Sequence, residues 1–266
     1  METNNKKPSG LLNVQTGKEH FSLDLYSPSQ ELNLFIEHYW IVNWDLRGQK
    51  PYLSENLPHP SVHLVFEKNQ SSIYGVVMKK FSILLKEKGT VFGIKFRPGA
   101  FYPFVQQSMD HFTGQAIPSQ NIFGEMMNEF ESGIFSLTDQ KEMIDLAESF
   151  LFSIIPNKDE TLLQIHAIIE KMKSDPLINT VEDISEHFHL SVRTLQRLFK
   201  KYVGVNPKWV IRRYRLLEVA DQLSNGHPQP WQQLVADLGY YDQSHFIRDF
   251  KSIVGRSPEE YIRKSI

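Results

Sequence analysis

The chain has 266 residues, 41% of them apolar and 23% charged, with a formal net charge of −2 and no cysteine. That length accommodates one large domain or two ordinary ones whose core needs no disulfide or metal staple, and the lack of cysteine excludes thiol nucleophiles, thiolate zinc sites and iron–sulfur clusters. The overall charge argues against bulk affinity for nucleic acid but hides a division: residues 1–157 carry 13 Lys and Arg against 17 Asp and Glu, and residues 158–266 carry 16 against 14.

The opening METNNKKPSG has no apolar run of signal-peptide length behind it, and no stretch approaches the ~18 consecutive apolar residues that span a bilayer. A soluble, cytoplasmic protein with no membrane contact is expected, with residues 1–20 as a polar lead-in. Glu31–Tyr39 reads as a short helix leading into a strand. Pro58–Glu67 alternates through Val62, Leu64 and Phe66, as a half-buried strand does. Ser71–Lys79 is a third strand candidate. Thr90–Arg97 sets Val91, Gly93, Lys95 and Arg97 opposite Phe92, Ile94 and Phe96, and ends at the turn signal Pro98-Gly99. The first half is therefore expected to be an α+β domain containing a β-sheet.

Two features there invite a site. His59, His63 and Glu67 recur every four residues, which suggests a metal; on a single strand they lie too far apart to share one ion, so turn polar residues or a hydrogen-bonded core histidine are expected instead. The aromatics Tyr39, Trp40, Trp44, Phe92, Phe96, Phe101 and Phe104 suit a ligand pocket or a packed core, and core packing is the commoner fate of each. No metal, cofactor or catalytic residue is expected.

From about residue 120 the pattern turns helical. Lys141–Ile155 carries an apolar stripe behind the capping pair Asp139 and Glu142, suited to packing on its own domain or to a dimer seam. Pro156-Asn157-Lys158-Asp159 reads as a linker, dividing a regulatory domain, 1–157, from a second domain, 158–266. Thr161–Lys173 follows as an amphipathic helix with Leu162, Leu163, Ile165, Ile168, Ile169 and Met172 on its apolar face.

The most informative feature is an internal repeat. Val181–Pro207 and Trp231–Pro258 match at Ile184/Leu234, Phe188/Leu238, Leu195/Phe246, Phe199/Phe250, Lys200/Lys251, Gly204/Gly255 and Pro207/Pro258. The offset grows by one residue at the turn near Gly239-Tyr240-Tyr241. Each copy has the anatomy of a helix-turn-helix, giving an all-α domain with units at about 180–202 and 231–252. The second helix of each starts at a capping residue, Ser191 or Asp242. In the first copy the buried stripe Leu195, Leu198 and Phe199 leaves Arg193, Thr194, Gln196, Arg197 and Lys200 outward. In the second, Phe246 and Phe250 leave Gln243, Ser244, His245, Ile247, Arg248 and Lys251. Arginine pairs bidentately with guanine and glutamine with adenine. Between the copies Asn206-Pro207 opens a linker helix, Lys208 to Leu223, of about 24 Å, a rod suited to holding two recognition helices near the ~34 Å repeat of DNA. His187–Leu217 contains no acid but holds Arg193, Arg197, Lys200, Lys201, Lys208, Arg212, Arg213 and Arg215, a basic strip suited to phosphates.

On SVRTLQRLFKKYVGVNPKWVIRRYRLLEVADQLSN and VADLGYYDQSHFIRDFKSIVGRSPEEYIRK, residues 161–266 resemble the C-terminal DNA-binding domain of the AraC/XylS family. The resemblance implies a transcription regulator that inserts two helices into successive major grooves. It makes Arg193, Gln196 and Arg197 in the first helix, and Gln243, Ser244, His245 and Arg248 in the second, the base-contact candidates. On LPHPSVHLVFE and VFGIKFRPGAF the first half is similar to regulatory domains attached to some members, which implies effector sensing or oligomerisation without naming a ligand. The partners implied are double-stranded promoter or operator DNA, RNA polymerase, a small-molecule effector and a second copy of the chain, with activation favoured over repression. An enzyme is not expected: no P-loop, Rossmann glycine motif or G-x-S-x-G elbow is present, and alkyl-transfer repair lacks its cysteine. The remaining alternative is a protein-interaction adaptor with a helical tail.

Overall fold

A computed structural model describes residues 19–68, 70–224, 235, 240 and 242–265. Antiparallel strands β1 (Ser22–Tyr26), β2 (Ile36–Asp45), β7 (Lys88–Phe96), β4 (His63–Phe66), β5 (Ser72–Tyr74) and β8 (Ala116–Pro118) form a six-stranded sheet in that order, and β3 (Tyr52–Asn56) pairs with β6 (Phe81–Leu85) as a separate two-stranded antiparallel sheet. The alternation read along the chain is real and sorts side chains onto the two faces of the sheet. Tyr39, Ile41, Leu64, Phe66, Phe92, Ile94 and Phe96 are buried in a core shared with the helices that follow. Their neighbours His38, Trp40, His63, Val65, Val91 and Lys95 line a cavity closed by the β3–β6 pair.

Three expectations are corrected. Glu31–Phe35 is a hydrogen-bonded turn, with Phe35 and Ile36 N–H both donating to Leu32 O, and the chain is extended from Ile36 onward; the β-branched and aromatic run outweighs the short apolar helical pattern. Ser71–Lys79 yields only the three-residue strand β5. Leu163, placed on the apolar face of its helix, is 40% exposed, while its neighbours Leu162 and Ile165 are buried.

The helices of this half are α1 (Tyr102–Val105), α2 (Gln120–Phe123), α3 (Met126–Ser136) and α4 (Gln140–Ser153). The expected cap of α4 is present: Asp139 accepts from Lys141 and Glu142 N–H, which satisfies two otherwise unpaired donors. Helix α4 buries Ile144, Ala147 and Leu151 in its own domain's core. After Pro156 the chain enters α5 (Glu160–Ser174), capped by Asp159, then α6 (Val181–His187), α7 (Val192–Tyr202), α8 (Pro207–Ser224), α9 (Gln243–Val254) and α10 (Pro258–Ser265). Their apolar faces meet in a second core around Ile168, Ile184, Leu195, Phe199, Val210, Leu216, Phe246 and Phe250. Among the described residues no helix is long and apolar enough to cross a membrane.

Candidate nucleic-acid interface

The first helix-turn-helix is complete. Thr180 caps α6 in a reciprocal box with Asp183. The turn passes through His189, whose φ of +52° lies in the left-handed region, a cost that histidine tolerates better than β-branched residues. Ser185 Oγ donates to Leu190 O and steadies the turn. Ser191 then caps α7 by accepting from Thr194 N–H at 3.1 Å. With Leu195 and Phe199 fully buried, the helix presents Arg193, Gln196, Arg197, Lys200 and Lys201 to solvent. Thr194 is half-buried, and its hydroxyl lies 2.9 Å from Ser191 Oγ, so it serves the cap.

The second copy repeats this design from its cap onward. Asp242 caps α9 by accepting from His245 N–H at 2.8 Å. Phe246 and Phe250 are fully buried, and Gln243, Ser244, His245, Arg248 and Lys251 are exposed. The His245 ring also reaches Asp242 Oδ2, at 3.3 Å. The expected first helix of this unit, including Trp231, Leu234, Leu238 and Gly239, lies outside the described residues, as does Tyr241. The two recognition helices end alike. Gly204 and Gly255 sit at φ +90° and +84°, where a side chain is strained. Beyond each glycine, Asn206 caps α8 and Ser257 caps α10, with proline in the first turn. At 18 residues, α8 is about 27 Å long.

The basic strip is narrower than the sequence implies. Arg213 and Arg215 are 2% and 5% exposed. Arg215 donates to Met172 O and to Asp175 O, the latter at 2.9 Å, and pairs with Glu218 at 2.6 Å. Arg213 Nε donates to Pro58 O of the first half, and burial lowers its pKa to about 10. Arg212 is half-buried and pairs with Asp249 of α9 at 2.8 Å. These three arginines stand on one long helix that meets neighbours on most sides, and charge counting along the chain does not register that. Lys200 pairs with Asp110 at 3.3 Å, and Lys201 lies 4.8 Å from the Tyr102 ring centre and 5.6 Å from that of Tyr202. Arg193, Arg197 and Lys208 stand exposed.

The sequence did not reveal how the first half grips both units at equivalent points. A Cβ on Gly204 would lie 2.6 Å from Thr113 Oγ1, and one on Gly255 would lie 2.3 Å from Lys80 Cδ. Thr113 Oγ1 donates to Gly204 O at 2.8 Å. Beside Gly255, Arg256 pairs with Glu55 at 2.9 Å, and Glu55 also pairs with Lys80. Such pairings join residues far apart in the chain, and no local pattern encodes them.

Two short helices, a tight turn and a capped second helix with an outward polar face define a helix-turn-helix domain, here followed by a second capped recognition-type helix. Residues 184–264 match the family described as a helix-turn-helix domain, and residues 24–118 match a domain of unknown function, DUF6597. The chain is 28% identical over 124 residues to the HTH-type transcriptional activator RhaS of Enterobacter sp. (strain 638), covering 47% of this chain and 44% of that protein. It is likewise 28% identical over 118 residues to RhaS of Salmonella schwarzengrund, covering 44% and 41%. The match thus spans less than half the length of these relatives. Among solved structures, a probable AraC family transcriptional regulator from Rhodopseudomonas palustris CGA009 aligns with a TM-score of 0.34 at 22% identity, covering 37% of this chain and 93% of that one. ToxT from Vibrio cholerae aligns with a TM-score of 0.37 at 14% identity, covering 92% and 98%. Residues 184–264 are thus a helix-turn-helix domain, and the likeness to the transcriptional activators named above rests on that part of the chain.

Proposed function

We propose that the protein is a sequence-specific DNA-binding transcription regulator acting in the cytoplasm, with residues 158–266 reading DNA and residues 1–157 receiving a signal. The observation that carries this is the shared construction of α7 and α9. Each begins abruptly at an oxygen cap and buries one apolar stripe, and each leaves a cluster of base-reading and phosphate-reading side chains in solvent. Arg193, Gln196 and Arg197 on α7, and Gln243, Ser244, His245 and Arg248 on α9, are the base-edge candidates. Lys200, Lys201 and Lys251 fit phosphates, and Thr194 supports the start of α7. The linker helix α8, bonded to α9 through Arg212–Asp249, sets the spacing that successive major grooves require. Relatives named as activators favour activation, with RNA polymerase as a protein partner and a second copy of the chain on adjacent half-sites. No catalytic step is assigned.

Electrophoretic mobility shifts on a randomised duplex library test the reading. Arg197→Ala should relax preference at one or two base positions by about 1–3 kcal/mol. Lys251→Ala should weaken all sequences alike and lower the salt slope by about one. An adaptor would show no salt-dependent duplex affinity at all, and that result would remove the proposal.

A further inference from the structure

The N-terminal half encloses a cavity of about 430 Å³ between the six-stranded sheet and the β3–β6 pair, within the range of small-molecule sites. Most of its wall is apolar, with the Trp40 indole lying flat enough on Gly93 that a Cβ there would sit 2.0 Å from Cε2. At one end Lys95, His38, His59 and His63 converge. Lys95 is 6% exposed and pairs with Glu37 at 3.2 Å, a residue that does not line the cavity. Burial and the neighbouring cation hold all three imidazoles neutral, His38 with a pKa lowered to about 4, so each carries one N–H; His59 Nδ1 lies 2.8 Å from Ser61 Oγ, and with Ser61 as donor there the N–H of His59 is on Nε2. Arg213 adds a second buried cation close behind His59. Among the described residues that line the cavity the one acid is Glu67, four residues and roughly 13 Å along the strand direction from His63.

The wall opposite the sheet is the segment Ser54–His59. Ser54, Asn56, Pro58 and His59 line the cavity, while the same segment holds the DNA-binding half through Glu55–Arg256 and through Pro58 O–Arg213. Six consecutive residues therefore touch both the cavity and the helix-turn-helix domain.

We propose that this cavity binds a small carboxylate with an apolar body. The carboxylate sits against Lys95 and the imidazoles of His59 and His63, the body lies over Trp40, and Ser54–His59 carries occupancy to α8 and to the turn after α9. The inference rests on the regulatory reading of residues 1–157 and names the ligand class for it. An ammonium with spare N–H bonds and two neutral imidazole donors match the acceptor sites of a carboxylate. The excess of buried cations over anions opposes an amine at that end.

The test uses the full chain without DNA. Hexanoate, octanoate, decanoate and phenylbutyrate are titrated by calorimetry and thermal shift beside phenylbutanol and phenylbutylamine. At least one carboxylate should bind saturably, about tenfold or more tighter than the matched alcohol and amine, and Lys95→Met should erase that preference. If no carboxylate binds, if the alcohol or amine binds equally well, or if Lys95→Met binds as the unaltered chain does, the assignment is wrong. Should Lys95→Met fail to fold by circular dichroism, Val42→Trp fills the cavity and leaves the cation in place, and undiminished carboxylate binding to it overturns the site. In a second arm, the bound carboxylate should change duplex affinity in the unaltered chain but not in Arg213→Met. Equal changes in both, or no change in either, remove the transmission route. Ligand binding is read without DNA, so failure there leaves DNA recognition standing, and absence of DNA binding leaves the cavity result standing.

Discussion

In the first helix-turn-helix unit the recognition helix itself is tied to the N-terminal half, Lys200 to Asp110 and Lys201 over Tyr102, with Gly204 just past it against Thr113. In the second unit the exposed cations Arg248 and Lys251 stand clear, and the tie lies just past the helix, at Gly255 and Arg256. The sequence repeat makes the two units equivalent, and the packing does not. The first unit commits part of its positive charge to its own chain, while the second keeps its helix cations outward and is joined through the loop that follows. Two copies of one motif can therefore differ in how strongly each responds to the domain beside them.

The sharpest way to break the equivalence is through the cores. Phe199 and Phe250 occupy matched positions, and each is fully buried. Truncation to alanine should cost about 3–5 kcal/mol at either site, measured by urea denaturation. If Phe250→Ala cost less than about 1 kcal/mol while Phe199→Ala cost the full amount, the second unit would not share the common core.

Acid should separate the halves next. His38 and His166 have pKa values lowered to about 4, chiefly by burial. A histidine with a depressed folded pKa favours the neutral form in the native state. Its contribution is present above the unfolded value near 6.5 and is lost as pH falls toward the folded value. Between about pH 7.5 and 5.5 each should remove on the order of 1 kcal/mol of stability. His59 and His63 shift in the same direction. His38, His59 and His63 line the cavity and His166 sits beside Pro98, so the loss belongs to the N-terminal half and its border. Acid-induced unfolding that begins in α9, followed by hydrogen exchange, would contradict this.

The helical half was legible because its signals are local. Ser191 and Asp242 stand at the capping positions that the spacing requires, and Leu195/Phe199 and Phe246/Phe250 are buried as the repeat dictates. The alternation of Thr90–Arg97 also gave the cavity face correctly: Val91, Gly93 and Lys95 point away from Phe92, Ile94 and Phe96. The cavity itself escaped notice because His38, His59, His63 and Lys95 come from three strands and a loop that meet only through the β2–β7–β4 register. His59, His63 and Glu67, which recur every four residues, all line the cavity, and among the described residues no group of three or more His, Cys, Asp or Glu side chains is placed to hold a metal ion. Trp40 and Trp44 line the cavity, whereas Tyr39, Phe92, Phe96 and Phe101 are core, so a set read as one cluster divides between the two faces of the sheet. Arg213 and Arg215 misled for a related reason. A long basic run reads as a solvated strip until the helix carrying it is enclosed.

The smallest expected effect bears most directly on the contrast between the units. On the DNA-binding reading proposed above, Asp110 would compete with phosphates for Lys200, in a pair whose lysine is 70% exposed. A pair that open is worth well under about 1 kcal/mol, so Asp110→Asn should leave the melting temperature almost unchanged. If Lys200 neutralises a phosphate, freeing it should raise duplex affinity by up to about fivefold for every sequence and steepen the salt dependence. The base preferences assigned to Arg193 and Arg197 should stay as they are, because a phosphate contact positions the helix without reading sequence. The comparison substitution is Glu55→Gln, which loosens the tie to the second unit at Arg256. Its effect on affinity should run through the placement of α9 and so depend on the spacing between half-sites. Should Asp110→Asn instead alter spacing preference and leave general affinity unmoved, the Lys200 contact would be a positioning tie like the one at Arg256, and the two units would be mounted alike after all.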